Sequence, residues 1–149
     1  MHIDYLIWSD FRQVTNFFFL DEIIRNCLRA KMSERITSLA DIEDVEIDDF
    51  GRFKYILIKA SLNDQHKFLV RGFAWASYHA DIFDLFESSK SPIKYECVGG
   101  GRIEVEPHNK KIKIFGYSQG FGRADHEMSC DLVRKKYKDY EVTWSNDGY

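Results

Sequence analysis

Histidine is the residue type in this chain best suited to acid–base or nucleophilic chemistry near neutral pH. The chain has five histidines: His2, His66, His79, His108 and His126. No two are spaced four residues apart, and no acidic side chains cluster with them in a ligand pattern, so the sequence carries no metal-binding signature. We therefore expect a site that uses neither a metal ion nor an organic cofactor.

A cysteine and an arginine bracket a glycine-rich stretch, as in the phosphate-binding loop of cysteine-dependent phosphatases. Here the four residues between Cys97 and Arg102 are one fewer than that loop uses. We interpret Cys97 as a buried strand residue instead. The triple glycine at 99–101 is compatible either with a bulge or close backbone approach, or with contact to a phosphate.

His79 differs from the other histidines in its local sequence. Ser77 is predicted to be the N-cap of a helix, which places His79 in the first helical turn. Unpaired N–H groups and the helix dipole favour a bound anion there and disfavour the imidazolium. A neutral imidazole beside a bound phosphoryl group can act as a general base or as a nucleophile. Taken alone, however, a histidine in this position is more often structural.

The elements that would position His79 follow from the hydrophobic periodicity. Strand patterns, helix patterns and turns succeed one another without a regular βαβ alternation. We predict strands at about 53–60, 67–73, 94–98, 111–117 and 140–144, with residues 102–106 extended beyond the glycines that follow 94–98. Helices are predicted at about 78–88 and 129–137. A loop at 118–122 follows one strand and could expose backbone N–H groups. This order predicts an α+β fold, a single domain with a mixed sheet and two helices.

Composition limits the classes of protein. With 149 residues, 44% of them apolar, the chain can form one ordinary globular domain. A net charge of −3 without a basic run gives little support to nucleic-acid binding. Apolar stretches are too short for a membrane span. Three widely spaced cysteines suggest a reducing cytoplasm rather than a disulfide-bonded protein.

The N-terminal part is predicted to be separate from the domain. We assign residues 1–44 to an extension, poorly ordered or isoform-specific, and 45–149 to the domain. Within the extension, apolar residues recur at helical spacing between Phe17 and Leu28, which predicts an amphipathic helix.

The domain resembles the phosphohistidine phosphatase family, also called the Janus family. The segment at 75–84 (WASYHADIFD) is similar to the motif that begins a helix in that family. The other similar segments occur in the family's order: 53–55 (FKY), 70–72 (VRG), 97–103 (CVGGGRI), 116–118 (GYS), 137–142 (YKDYEV) and 147–149 (DGY). The resemblance covers residues 45–149 and does not reach the extension.

The resemblance implies a monomeric α+β domain, with a mixed sheet of about six strands flanked by two helices. It also implies a metal-independent hydrolase that cleaves the P–N bond of phosphohistidine in proteins. His79 matches the family's catalytic histidine, a proton acceptor or a transient phosphoryl carrier. The implied phosphate-binding residues are Lys54, Ala80, Ser118, Gln119, Gly120, Arg71 and Arg102. We expect backbone amides to make the loop contacts. We expect Arg71 to contribute least, because an arginine on an edge strand usually lies in solvent.

Two alternatives remain open from the sequence. The same phosphate site could belong to a module that binds phosphoproteins without turnover, although an intact His79 argues against this. The chain could also be a regulatory protein whose N-terminal helix docks a partner. Whether phospholysine is a substrate is left open too.

Overall fold

The structure, a computed structural model, describes residues 19–30 and 36–148 and divides the chain into two compact units, Met1–Glu34 and Arg35–Tyr149. In the first unit, residues 19–30 form helix α1, which confirms the predicted helix within the described residues; Phe17 lies outside them. Its apolar side chains are exposed: Phe19, Leu20, Ile23 and Ile24. No helix among the described residues has the length and hydropathy to cross a membrane.

The second unit contains one six-stranded sheet and two α-helices. Its elements in chain order are a 3-10 turn (Leu39–Asp41), β1 (Val45–Ile47), β2 (Gly51–Leu62), β3 (Gln65–Phe73), α2 (His79–Glu87), β4 (Lys94–Glu106), β5 (Lys111–Phe115), α3 (His126–Lys136) and β6 (Glu141–Trp144). The strand order is β1-β3-β2-β4-β5-β6. The β1–β3 and β5–β6 pairs are parallel and the others antiparallel. The predicted α+β fold with a mixed six-stranded sheet is confirmed.

Each helix covers a different face of the sheet. Alternating strand residues, among them Tyr55 and Leu57, point to one face and share a core with Cys130 and Val133 of α3. The residues between them, such as Ile56, point to the opposite face, where α2 packs on β2, β3 and β4. The centre of the sheet is therefore buried on both sides.

Helix α2 begins one residue later than predicted, and α3 begins three residues earlier than predicted. The predicted Ser77 cap is wrong. Tyr78 is the N-cap of α2, and its N–H donates to the Asp81 carboxylate at 2.8 Å. Helix α3 begins at His126 rather than near 129, because the Asp125 carboxylate caps it by accepting from the Met128 N–H at 3.0 Å. Each helix thus has a histidine as its first residue.

A β-bulge interrupts the pairing of the two longest strands. Leu57 pairs with Gly99 and Ile58 with Cys97, so Val98 is the extra residue on β4. Gly99 has a φ of +146°, a backbone conformation that residues other than glycine rarely adopt. A Cβ at Gly99 would also lie 2.6 Å from backbone atoms of Ala124. The bulge therefore lets residues 122–124 approach β4 closely, directly before the segment that contacts His79.

The second unit begins ahead of the boundary placed at Val45. The Ile36 carbonyl accepts from the Ser91 hydroxyl at 2.8 Å, and Ile42 is buried in the unit. Arg71 also binds this segment, donating to the Glu43 carbonyl at 2.7 Å. Residues 36–44 thus pack as part of the domain.

Candidate active site

His79 is held against the central glycines of β4. Its Nε2 donates to the Gly101 carbonyl at 2.9 Å, since a carbonyl can only accept. In the neutral ring, Nδ1 then carries the lone pair. The Cδ2–Nε2 edge of the ring faces the strand, so the Nδ1–Cε1 edge faces away from it. The backbone hydrogen bond therefore selects the tautomer in which Nδ1 is the reactive nitrogen.

Gly100 makes this approach possible. A Cβ at Gly100 would lie 2.8 Å from His79 Cδ2 and 2.9 Å from the Tyr55 carbonyl oxygen. Any side chain there would push the imidazole off the strand. Of the two interpretations of the triple glycine, the structure supports close approach. The His79 side chain lies against Gly100, and the backbone of Ala124 lies against Gly99.

The environment of His79 favours its neutral form. Burial is the main cause that lowers the pKa of His79 below its ordinary value. The hydrogen bond to Gly101 opposes this shift, while the positive charges of Lys54 and Arg102 add to it. Near pH 7 the ring is therefore available to accept a proton or to attack phosphorus.

An open cleft of about 520 Å³ lies beside the His79 ring. It is formed by β2, the start of α2 and the loop after β5. Its lining residues are Lys54, Ser77, Tyr78, His79, Ala80, Ser118, Gln119, Gly120 and Phe121. Six of the eight residues predicted from the sequence to form the site thus line one cleft.

The loop at 118–122 presents two amides to this cleft. Ser118 and Gly122 close the loop through two backbone hydrogen bonds of 3.1 and 2.9 Å, and the Phe121 N–H donates to Ser118 Oγ at 3.2 Å. Among the described residues, the N–H groups of Gln119 and Gly120 have no hydrogen-bond acceptor. These two amides can bind a phosphate, whereas the Ser118 amide is used to close the loop. The first-turn amide of Ala80 adds a third donor, because it has no acceptor within the helix.

Two predicted cations lie on the same face of the sheet as His79. Lys54 and Arg102 are directly opposite each other on β2 and β4. Lys54 lines the cleft, and among the described residues it forms no ion pair. Arg102 is half-buried and does not line the cleft, but its positive charge helps to lower the pKa of His79.

Arg71 is not placed at the cleft. The expectation of a solvated edge-strand arginine is wrong, because β1 pairs outside β3 and leaves Arg71 only 2% exposed. Its guanidinium donates to the carbonyls of Val70 and Glu43 at 2.9 and 2.7 Å and lies 3.5 Å from the Glu46 carboxylate. Arg71 therefore joins β1 and the preceding segment to β3.

The thiol of Cys97 has the properties of a structural residue. It is half-buried and its Sγ lies 3.6 Å from the Gly99 carbonyl, to which it can donate. Burial raises the pKa of Cys97 to about 11, so the group is a thiol and not a thiolate at neutral pH. Among the described residues, no group of three or more His, Cys, Asp or Glu side chains could hold a metal ion.

Sequence reasoning missed two aromatic residues of the cleft. Tyr78, the cap residue of α2, is 71% exposed at the cleft, and Phe121 packs edge-on against Phe83 with ring centroids 5.9 Å apart. The signals in the sequence were that Tyr78 directly precedes His79 and that Phe121 lies within the 118–122 loop. Aromatic side chains of this kind could contact the part of a ligand beyond its phosphate.

Comparison with known proteins places the chain in a family. The model of the Janus/Ocnus family matches residues 39–141. The chain belongs to the Janus/Ocnus family. It is 47% identical over 120 residues to the 14 kDa phosphohistidine phosphatase of Sus scrofa, and the aligned region covers 74% of this chain and 95% of that protein. The Homo sapiens protein of the same name is 45% identical over 123 residues, 76% of this chain and 98% of that protein.

A second group of relatives carries a different name. The sex-regulated protein janus-A of Drosophila orena is 45% identical over 122 residues, 80% of this chain and 89% of that protein. These relatives match this chain over 89–98% of their own length, and the resemblance to this family inferred from the motifs is confirmed.

Proposed function

We propose that this protein is a protein phosphohistidine phosphatase, a hydrolase that cleaves the P–N bond of phosphohistidine. The observation that carries the proposal is the orientation of His79, whose Nε2–H is bound to Gly101 so that Nδ1 is the lone-pair nitrogen beside a cleft lined by hydrogen-bond donors. Relatives at 45–47% identity that are named phosphohistidine phosphatases support the choice of substrate.

The phosphoryl group would bind where the donors converge. The Lys54 ammonium and the amides of Ala80, Gln119 and Gly120 surround the cleft, and the Ser118 hydroxyl lies at its base. These groups would stabilise the charge on the phosphoryl oxygens in the transition state. Arg102 would contribute through its field, and Arg71 indirectly, by holding β1 to the sheet.

The reaction balances by either of two routes. As a general base, Nδ1 takes a proton from a water molecule whose oxygen attacks phosphorus; the P–N bond breaks and the substrate nitrogen gains a proton. As a nucleophile, Nδ1 bonds to phosphorus as the P–N bond breaks, and water then releases phosphate from His79. We favour the general base, and rapid quench with labelled substrate distinguishes the routes, because only the second leaves label on His79.

A phosphate-release assay on a phosphohistidine-bearing peptide tests the proposal. Wild-type protein should release phosphate, His79→Ala should not, and His108→Ala should match the wild type because His108 is exposed in the turn between β4 and β5. A wild-type protein that binds the peptide without releasing phosphate would instead be the non-catalytic binding module.

We further propose that the enzyme acts as a monomer in the cytosol on phosphohistidine-containing proteins. The three cysteines, Cys27, Cys97 and Cys130, are all free thiols, which fits a reducing compartment. Light scattering after size exclusion tests the oligomeric state, and imaging of a tagged full-length chain tests the compartment.

A further inference from the structure

A second histidine lies on the opposite face of the sheet, directly behind the site. His126 is the first residue of α3 and is only 1% exposed. A Cβ at Gly101 would lie 2.7 Å from His126 Cε1, whereas a Cβ at Gly100 would lie 2.8 Å from His79 Cδ2. Because neighbouring strand residues point to opposite faces, the two rings sandwich the same strand at adjacent residues.

The hydrogen bonds of His126 are complete and directional. Its Nε2 donates to the Gly116 carbonyl at 2.7 Å. In the neutral ring Nδ1 is then an acceptor, and it receives the Tyr55 hydroxyl at 2.5 Å. The Ser129 hydroxyl lies 3.2 Å from the same tyrosine oxygen and itself donates to the Asp125 carbonyl at 3.0 Å.

Each group that His126 contacts leads to a component of the cleft. Gly101 supplies the carbonyl that holds His79. Gly116 ends β5 and precedes, by two residues, the Ser118 that closes the 118–122 loop. Tyr55 directly follows Lys54 on β2. One buried imidazole thus joins the three backbone segments that carry the base, the amides and the lysine.

We propose that His126 is a positioning residue that sets the geometry of the cleft from behind the sheet. Without its ring, Gly101 loses the surface that keeps its carbonyl aimed at His79 Nε2, and Gly116 loses the donor that fixes the start of the loop. His126 does not line the cleft, so its effect is exerted through Gly101, Gly116 and Tyr55. The effect on turnover rests on the proposed function, whereas the effect on the His79 ring does not.

Variants of the network separate positioning from simple stability. His126→Ala removes both hydrogen bonds, Tyr55→Phe removes only the hydroxyl, and His126→Gln restores a donor that can reach Gly116. The matched control is Val133→Ala, on the same helix and in the same core, with no contact to Gly101 or Gly116 among the hydrogen bonds described. All are assayed below their melting temperatures, with the folded fraction measured by circular dichroism.

Two readouts are needed, kcat with KM on a phosphohistidine peptide and the nitrogen-15 spectrum of the His79 ring without substrate. We expect kcat of folded His126→Ala to fall at least tenfold, Tyr55→Phe to fall less, and His126→Gln to recover part of the loss. The His79 ring should change from the pure Nε2–H tautomer to a mixture. Val133→Ala should lower the melting temperature while leaving kcat and the tautomer unchanged.

The proposal is overturned if folded His126→Ala keeps the wild-type His79 tautomer, or if Val133→Ala reduces kcat and mixes the tautomers to the same extent. If the wild type hydrolyses no phosphohistidine, the proposed function fails. The tautomer measurement still decides the role of His126 in that case.

Discussion

His79 and His126 are nearly equivalent in backbone position and differ in the environment of the second ring nitrogen. Each is the first residue of a helix and each donates Nε2–H to a carbonyl of a glycine, Gly101 or Gly116. Burial lowers the pKa of both below the ordinary value of histidine. In His126 the second nitrogen is occupied by Tyr55; in His79 it is left for the cleft. If His79 is the reactive histidine that we propose, what distinguishes it is the partner of its second nitrogen and not its place in a helix.

The first-turn position has a different consequence at each site. At α2 the free amides and the cations Lys54 and Arg102 create a field suited to an anion. At α3 the Asp125 carboxylate occupies the helix N terminus by accepting from Met128. Both helix ends thus carry a carboxylate of the chain itself, but Asp81 of α2 accepts from the Tyr78 N–H that precedes the helix, whereas Asp125 accepts from an N–H inside the first turn of α3.

Removing the His79 ring should give the largest effect. His79→Ala leaves Lys54 and the loop amides in place, so phosphate should still bind while hydrolysis falls by roughly a hundred- to ten-thousandfold, the range for a lost general base. Steady-state kinetics and phosphate titration by calorimetry measure the two quantities. A folded His79→Ala protein with the wild-type rate would remove this histidine from the mechanism.

A methyl group at Gly100 should disturb His79 without removing it. Gly100→Ala places a Cβ within 3 Å of His79 Cδ2, and the strand beneath cannot yield because the Tyr55 carbonyl is equally close. We expect at least a tenfold loss of kcat in the folded fraction. Gly101→Ala, whose Cβ meets the His126 ring and the Phe115 carbonyl instead, should lower the melting temperature more and should affect His79 only indirectly, through His126. Equal melting temperatures with equal kcat values in the two variants would contradict the assignment of the two faces.

Loss of the Lys54 charge should be smaller than loss of the His79 ring. A charge-assisted contact of this kind is worth about 1.5–3 kcal/mol, which corresponds to roughly ten- to a hundredfold in kcat/KM. Lys54→Ala should show this loss, and Lys59→Ala on the same strand is the control because Lys59 does not line the cleft. Unaltered kinetics of Lys54→Ala would exclude this residue from the phosphate site.

The fold class could be predicted from the sequence, as could the residues that meet at the cleft, whose roles stay a prediction. The contacts on the opposite face of the sheet could not. The helix-start pattern singled out His79, and the resemblance to the family added Lys54 and the 118–120 segment; the structure brings all of them to one cleft. Neither could point to His126, since its proposed role depends on Gly101, Gly116 and Tyr55, which meet it only in three dimensions. The prediction that Arg71 lies in solvent was wrong for the same reason. It is covered by β1, a three-residue strand whose pairing with β3 has no local signal in the sequence.

The acid side of the pH profile should distinguish the two histidines. Because the His79 pKa is lowered, its reactive neutral form should dominate at pH 7, and kcat/KM should fall up to tenfold per pH unit only below the lowered pKa. Unfolding free energy should also fall as the pH drops below about 6.5, since the unfolded chain then binds protons that the buried neutral rings do not.

Separate variants resolve the two contributions. His79→Gln should abolish the kinetic acid limb, and Tyr55→Phe should alter the pH dependence of urea unfolding, because His126 then loses its hydroxyl donor. Blanks without enzyme correct for the acid lability of phosphohistidine. If the midpoint of the acid limb of the kcat/KM profile lay above pH 7, the lowered pKa of His79 would be contradicted.

Cys97→Ser should have the smallest effect, because it changes β4 close to the glycines without touching either histidine. The side chain points to the Gly99 carbonyl, which a serine hydroxyl can also reach, and the high pKa of the thiol leaves almost no thiolate to act as a nucleophile. We expect kcat/KM within about twofold of the wild type and the same His79 tautomer. Iodoacetamide at pH 7 should accordingly modify Cys97 slowly and leave turnover unchanged, as should EDTA, since the described residues contain no cluster of metal ligands. Inactivation of the wild type by iodoacetamide, with Cys97→Ser resistant, would indicate that the thiol contributes after all. It would also mean that the strand between the two histidines is more than a support for them.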